Sequence, residues 1–257
     1  MLLTNDHKAI QEVARNFARD QIAPHVRKWE SAGGPPKTLY KEMGDVGLMG
    51  MCIDPTYGGS GLDFMSYVVA MEEIAAVDGG ISNMMSANNS PVAAGIARYG
   101  TEEQKQRFLP SLCAGTTLGS VHLTEPHTGS DAASITTRAV RDGDEYVIDG
   151  HKAFITAGST SDVAMIVAIT NPGAGSSGIS VFLTPTENPG YQVLAVEKKL
   201  GHRTNDLCQI RYDEMRVPAS DLLGNEGQGL SIVLGGLSLG RIAVGAQSVG
   251  GARQALN

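Results

Sequence analysis

The chain has 257 residues, 42% of them hydrophobic and 18% charged, with 32 glycines and a formal net charge of −7. That composition excludes intrinsic disorder, and the acidic balance excludes a duplex nucleic-acid binder, which needs a basic face. Cys52, Cys113 and Cys208 lie far apart with no C-x-x-C pair, so neither a zinc site nor a disulfide framework is expected.

The first ~115 residues read as helices. Thr4 is an N-cap with Asp6 in the first turn, and Ile10, Val13, Ala14, Phe17 and Ala18 recur at helical spacing until Pro24. Gly33-Gly34-Pro35-Pro36 is a loop before a short second helix, and 55–61 is another loop. A helix over about 64–77 is broken by Asp78-Gly79-Gly80. Ser90-Pro91 reads as an N-cap with proline in the first helical position, and Gly100 as the glycine that closes that helix. Thr101-x-x-Gln104 is a capping box opening a helix that ends near Gly115.

Beyond Gly115 the apolar period drops from 3.6 to 2. Strands are expected at 117–124, 135–141, 145–148, 163–169, 179–184, 191–196 and 207–213, with a hairpin turn at 141–144. Their spacing indicates a sheet closed as a barrel or sandwich, without alternating βαβ units. From Gly227 the pattern is helical and apolar through Leu230, Val233, Leu234, Leu237, Ile242 and Val244. A helix this apolar requires cover from further chain or another subunit. No stretch approaches 18 uninterrupted apolar residues, so no membrane span is expected. The N-terminus shows no export signal, which points to a cytoplasmic location. The fold class is therefore α+β multidomain: helices over 1–115, a barrel-like β domain over 116–222, and over 223–257 the first helix of a C-terminal helical bundle.

Gly173-Ala-Gly-Ser-Ser-Gly178 matches G-x-G-x-x-G, but Pro172 precedes it and a β run follows. It reads as a loop between strands, not a dinucleotide fingerprint. The six histidines show no metal spacing, and no G-x-S-x-G elbow is present. The segment Leu123–Asp131 follows a strand and gathers Thr124, Gly129 and Ser130. Its N–H groups suit a phosphate nest, and they suit equally a polar β-turn with an Asx-type cap.

Thr124-Glu-Pro-x-x-Gly-Ser-Asp131 and Gly150-His-Lys-Ala-Phe-Ile-Thr156 resemble the two flavin-binding segments of acyl-CoA dehydrogenases. Matching motifs run in order along the chain: 57–61, 70–73, 99–105, 200–203, 213–218 and 227–229. The resemblance implies removal of an α-proton from an acyl-CoA thioester and transfer of a β-hydride to the N5 of FAD, giving a trans-2-enoyl-CoA. It implies an electron-transferring flavoprotein as acceptor and a homotetramer, a dimer of dimers. An acyl-CoA oxidase or flavin monooxygenase on the same scaffold, or a non-catalytic flavin-fold subunit, is the alternative.

The resemblance assigns cofactor contacts to Val121, Leu123, Thr124, Gly129, Ser130, Phe154, Ile155 and Thr156. Leu123 and Thr124 touch the ring, Gly129 and Ser130 hold the pyrophosphate, and 154–156 cover the other ring face with Thr156 near N5. Phe154 stands where many relatives have Trp, so stacking is kept and an N–H donor lost. Ser130, Ser238 and Arg241 are assigned to acyl-CoA. Ser238 occupies a position where relatives often carry an acid, and a structural Arg241 is an equal reading. Some relatives place the catalytic Glu at the position of Gly240; here residues 227–257 hold no Asp or Glu. The base Glu is thus expected beyond Asn257, in a C-terminal helical domain.

Overall fold

The computed structural model describes residues 3–256. Helix α1 (Asn5–Phe17) starts as its capping residues dictate: the Thr4 hydroxyl accepts from His7 N–H, and His7 Nδ1 accepts from Thr4 N–H. Ala14 and Phe17 face the core, whereas Val13 stands at the surface. The helix widens into a π-helical turn (Ala18–Ile22) before Pro24; α2 (Val26–Ala32) and α3 (Thr38–Asp45) follow. Asp63 caps α4 (Phe64–Ala75), and Asp78 caps α5 (Gly79–Ala87). Asp78-Gly79-Gly80 therefore ends one helix and begins the next.

The expectation at Ser90-Pro91 fails. No helix starts there: α5 runs on through a π-helical turn (Asn88–Ala93) into α6 (Ala94–Tyr99). Proline has no N–H and its ring crowds the carbonyl four residues back, and a widened turn accommodates both. Gly100 is extended (φ −70°, ψ 150°) and is not a left-handed cap. The unbroken helix delivers Asn88 to the centre of the fold. Its Nδ2 donates to Met49 O and Leu112 O, and its Oδ1 accepts from Gly119 N–H. Thr101 and Gln104 form the expected box at the start of α7 (Glu102–Cys113).

Seven strands form one curled sheet: β1 (Gly119–His122), β2 (Arg138–Asp142), β3 (Glu145–Thr156), β4 (Val163–Ile169), β5 (Ile179–Pro185), β6 (Tyr191–Val196) and β7 (Leu207–Pro218). The order is β1-β4-β2-β3-β7-β6, with β5 on the other edge of β4. Among the described residues no pairing joins β5 to β6, so the sheet curls like a barrel without closing. The turn at Gly143 (φ 62°) makes the β2–β3 hairpin as expected. Strand β3 runs eight residues beyond the expected 145–148, because polar Asp149-Gly-His-Lys152 continues the ladder. Gly150 is required there, since a Cβ would lie 2.3 Å from Thr137 Oγ1.

Helix α8 (Gly229–Leu256) lies across the helical layer. Ala243 and Ala246 enter the helical core, and Gln247 Nε2 donates to Gly79 O and Ser82 Oγ at 2.6 and 2.7 Å. At Gly250 the helix meets the α4 backbone so closely that a Cβ would sit 2.2 Å from Glu72 O. Arg253 bonds Glu72 and Glu73, and Arg15 reaches the buried Glu73 from the other side. The outer face of α8 exposes Leu234, Ile242 and Val249. By length and by the mean hydropathy of its most apolar 18 residues, 1.6, α8 is long and apolar enough to cross a membrane. Counting uninterrupted apolar residues overlooked this, because Gly and Ser punctuate the run.

Candidate active site

A cavity of about 470 Å³ opens where β1, β3, α5 and α8 meet. Val121 comes from β1, Phe154 and Thr156 from β3, and Asn83, Ser86, Ala87 and Pro91 from α5 and its π-turn. Gly236, Leu237, Gly240, Arg241 and Val244 of α8 form the remaining wall. Four sequence-predicted residues, Val121, Phe154, Thr156 and Arg241, thus share one cavity. Its size and mostly apolar lining with a few polar groups suit a small organic ligand. Arg241 is its one charged liner among the described residues, and no carboxylate lines it.

Strand β3 presents its end residues unusually. The register with β7 shifts between Lys152 and Ile155, and Phe154 and Ala157 both take left-handed backbone (φ 56° and 61°). This leaves the Phe154 ring 60% exposed beside the cavity while Ile155 stays in the sheet core at 2%. The Ile155 side chain thus points away from the cavity, on the opposite face from Phe154 and Thr156. Ser238 stands apart from the cavity. Its hydroxyl donates to Leu234 O within α8, and it lies outside the cavity lining.

Leu123, Thr124, Gly129 and Ser130 do not line this cavity but form the adjoining turn after β1. Gly129 and Ser130 are exposed. Gly129 is not left-handed, and a Cβ on it would meet nothing nearer than Thr124 Cγ2 at 3.9 Å. Nothing in the chain itself demands glycine at this position. The turn is tied to β3 by two bonds, Ala153 N–H to Thr124 O (2.9 Å) and Lys152 Nζ to Leu123 O (3.0 Å).

Sequence reasoning missed the group beneath that turn. Glu125 and Lys152 form an ion pair at 2.8 Å with side chains 1% and 0% exposed. Glu125 also accepts from the N–H and the hydroxyl of both Thr136 and Thr137. Burial works against the carboxylate, but the Lys152 ammonium and the threonine donors overcome it and hold its pKa down at about 2. Burial pulls Lys152 down to about 8, against the attraction of Glu125. Both are charged at neutral pH. Beside them His122 is fully buried, bonded to Ser120 Oγ and to Tyr212 OH. Burial, then the Lys152 charge, lowers its pKa to about 3, so it is neutral.

A helical layer, a curled sheet and a crossing helix, with an apolar cavity at their junction, define a protein built to hold a small organic molecule. The family models "Acyl-CoA dehydrogenase, N-terminal domain" and "Acyl-CoA dehydrogenase, middle domain" match residues 4–116 and 120–215. The chain belongs to the acyl-CoA dehydrogenase family of oxidoreductases. It is 38% identical to an acyl-CoA dehydrogenase of Bacillus subtilis, over all of this chain and 68% of that protein. The butyryl-CoA dehydrogenase of Megasphaera elsdenii superposes with a TM-score of 0.95 at 36% identity, covering 100% of this chain and 68% of that one. A glutaryl-CoA dehydrogenase of Mycobacterium smegmatis, solved in complex with FADH2, gives 0.92 at 36% identity over 99% and 64%. The chain thus spans about two thirds of the length of these relatives.

Proposed function

We propose that the protein dehydrogenates an acyl-CoA thioester to the trans-2-enoyl-CoA, with FAD as cofactor and an electron-transferring flavoprotein as onward acceptor. The observation that carries this reading is the convergence of Val121, Phe154, Thr156 and Arg241 on one apolar cavity. The residues fit a flavin. An exposed aromatic ring is held at the cavity by a left-handed backbone, and the adjoining turn keeps a glycine that the chain's own packing does not require. That glycine leaves room for close approach of a ligand such as a pyrophosphate.

When bound, FAD supplies the hydride acceptor that no side chain offers. The chain's own residues bind and orient. Phe154 and Val121 would exclude water from a bound flavin, and Thr156 would offer it a hydroxyl. Gly129 and Ser130 would hold the pyrophosphate, next to Leu123 and Thr124. Arg241 gives acyl-CoA a cationic partner at the α8 wall. Abstraction of the α-proton needs a positioned carboxylate, and none lines the cavity. The base is therefore supplied from outside these lining residues.

The test is to denature the purified protein and identify the released cofactor, then to add acyl-CoA anaerobically and follow the flavin absorption. FAD release and bleaching support the reading; FMN, or no flavin from folded protein, overturns it. Oxygen consumption during turnover would replace the dehydrogenase with an oxidase or monooxygenase.

A further inference from the structure

We propose that the buried Lys152–Glu125 pair is the positioning device of the site, locking the turn after β1 and the end of β3 into one rigid frame. The inference rests on the reading that this cavity and turn hold a flavin.

The frame has three parts. Lys152 Nζ spans them, donating to Leu123 O at 3.0 Å and to Glu125 Oε1 at 2.8 Å. Glu125 Oε1 also accepts from Thr137 N–H and Oγ1 at 3.0 and 2.6 Å. Its Oε2 accepts from Thr136 N–H and Oγ1 at 2.7 and 2.8 Å. The Leu123–Thr124 turn, the segment leading into β2 and the last turnless stretch of β3 are thereby fixed to one another. The Ala153 N–H bond to Thr124 O closes the frame, one residue before Phe154 and at Thr124 itself.

Neither side chain lines the cavity, so the pair acts through the residues it holds. Both ends of the frame carry proposed cofactor contacts: Leu123 and Thr124 on one, Phe154 and Thr156 on the other. A buried charge that loses its partner forces its surroundings to rearrange. A misplacement of about 1 Å remote from the reacting atoms can cost about 100-fold in rate. A pair serving stability alone would not need to sit between these two segments. Asp221 and Arg107 provide the comparison: their 2.8 Å pair has a fully buried carboxylate, neither residue lines the cavity, and neither bonds the turn after β1 or β3 among the described residues.

The experiment compares Lys152→Met, Thr137→Val and Arg107→Met in the intact protein, in the cofactor-loaded form. The readouts are the flavin absorption band, its reduction potential, and the rate of flavin reduction at saturating acyl-CoA. Lys152→Met is expected to shift the band and slow reduction by about 100-fold. The acyl-CoA concentration giving half-maximal rate should stay within a few-fold of wild type. Thr137→Val, which deletes one bond to Glu125 and strands no charge, should shift the band in the same direction with a smaller rate loss. Arg107→Met should lower thermal stability and leave band, potential and rate unchanged. An unchanged band and rate in Lys152→Met overturns the proposal, as does equal slowing in Arg107→Met. If Lys152→Met does not fold, Thr137→Val decides, and wild-type behaviour there overturns it. A wild-type protein without FAD sinks the cofactor reading first, and is recognised before any substitution is made.

Discussion

Replacing Gly250 by alanine is expected to destabilise the protein, although alanine is the better helix former by about 1 kcal/mol. The neighbouring Gly251 shows that gain undisturbed: a Cβ there meets nothing within 4 Å. At Gly250 the same atom would sit 2.2 Å from Glu72 O and 3.0 Å from Ala76 N, both backbone atoms of or next to α4 that cannot rotate away. Relief requires α8 to back off by about 1 Å, and overpacking of this kind costs about 1–3 kcal/mol. The shift also strains the Arg253 bonds to Glu72 and Glu73 and the Gln247 bond to Gly79 O. Losing one bond to a charged group costs about 1.5–3 kcal/mol. The net loss at Gly250 is then about 2 kcal/mol, and the gap between the two alanine variants about 3 kcal/mol. For a chain of this size that gap is a Tm difference of about 6–12 °C. Thermal and urea unfolding of both variants give the answer. A Gly250→Ala protein melting at or above Gly251→Ala would refute the close docking of α8 on α4.

Thr156→Val is expected to keep FAD but slow its reduction by acyl-CoA about 10–100-fold in stopped flow, the loss of one bond to an electron-rich ring; unchanged rates remove Thr156 from the site. Asn88→Ala leaves Met49 O and Gly119 N–H without their side-chain partner in the core, while Leu112 O keeps Gly115 N–H, and should cost about 2–4 kcal/mol in denaturant unfolding. His122 is neutral in the fold, with its pKa moved from the ordinary 6.5 to about 3. The unfolded chain binds a proton in that window and the folded one does not, so stability falls by about 1.4 kcal/mol per pH unit as pH drops from about 6.5 towards about 3. His122→Gln should be less stable at pH 7 yet lose about 2 kcal/mol less between pH 6.5 and pH 5; an identical slope would mean that His122 is protonated in the fold.

Local rules made part of this molecule legible. Thr101 and Gln104 satisfy each other across three residues, and Gly143 supplies the positive φ of its hairpin, so a short window holds the whole cause. Ser90-Pro91 fits an N-cap rule equally well, but here the core claims Ser90, which is 3% exposed inside a continuous helix. A local rule cannot see that competition. Strand β3 hid for the same reason: Asp149 to Lys152 look solvated until Thr137 is found packed on Gly150 and Glu125 beneath Lys152. At the site, motif correspondence brought Val121, Phe154, Thr156 and Arg241 together, yet assigned Ile155 and Ser238 by position alone. The face each side chain presents depends on a register shift and on helical phase. The Glu125–Lys152 pair spans 27 positions, and no periodicity connects its halves.

The left-handed backbone at Phe154 and Ala157 sets a conflict for directed evolution of this chain. Each non-glycine residue so held is strained by about 1–3 kcal/mol, so a library screened for heat resistance alone should enrich glycine at both positions, and asparagine only at the exposed 154. At 157, where the side chain is a buried methyl group, that drift would go unnoticed by the site. At 154 it would strip the aromatic ring from the cavity. Variants that gain melting temperature in this way would be selected against by any screen that also scores flavin retention, and the two screens should diverge at residue 154 before anywhere else in β3.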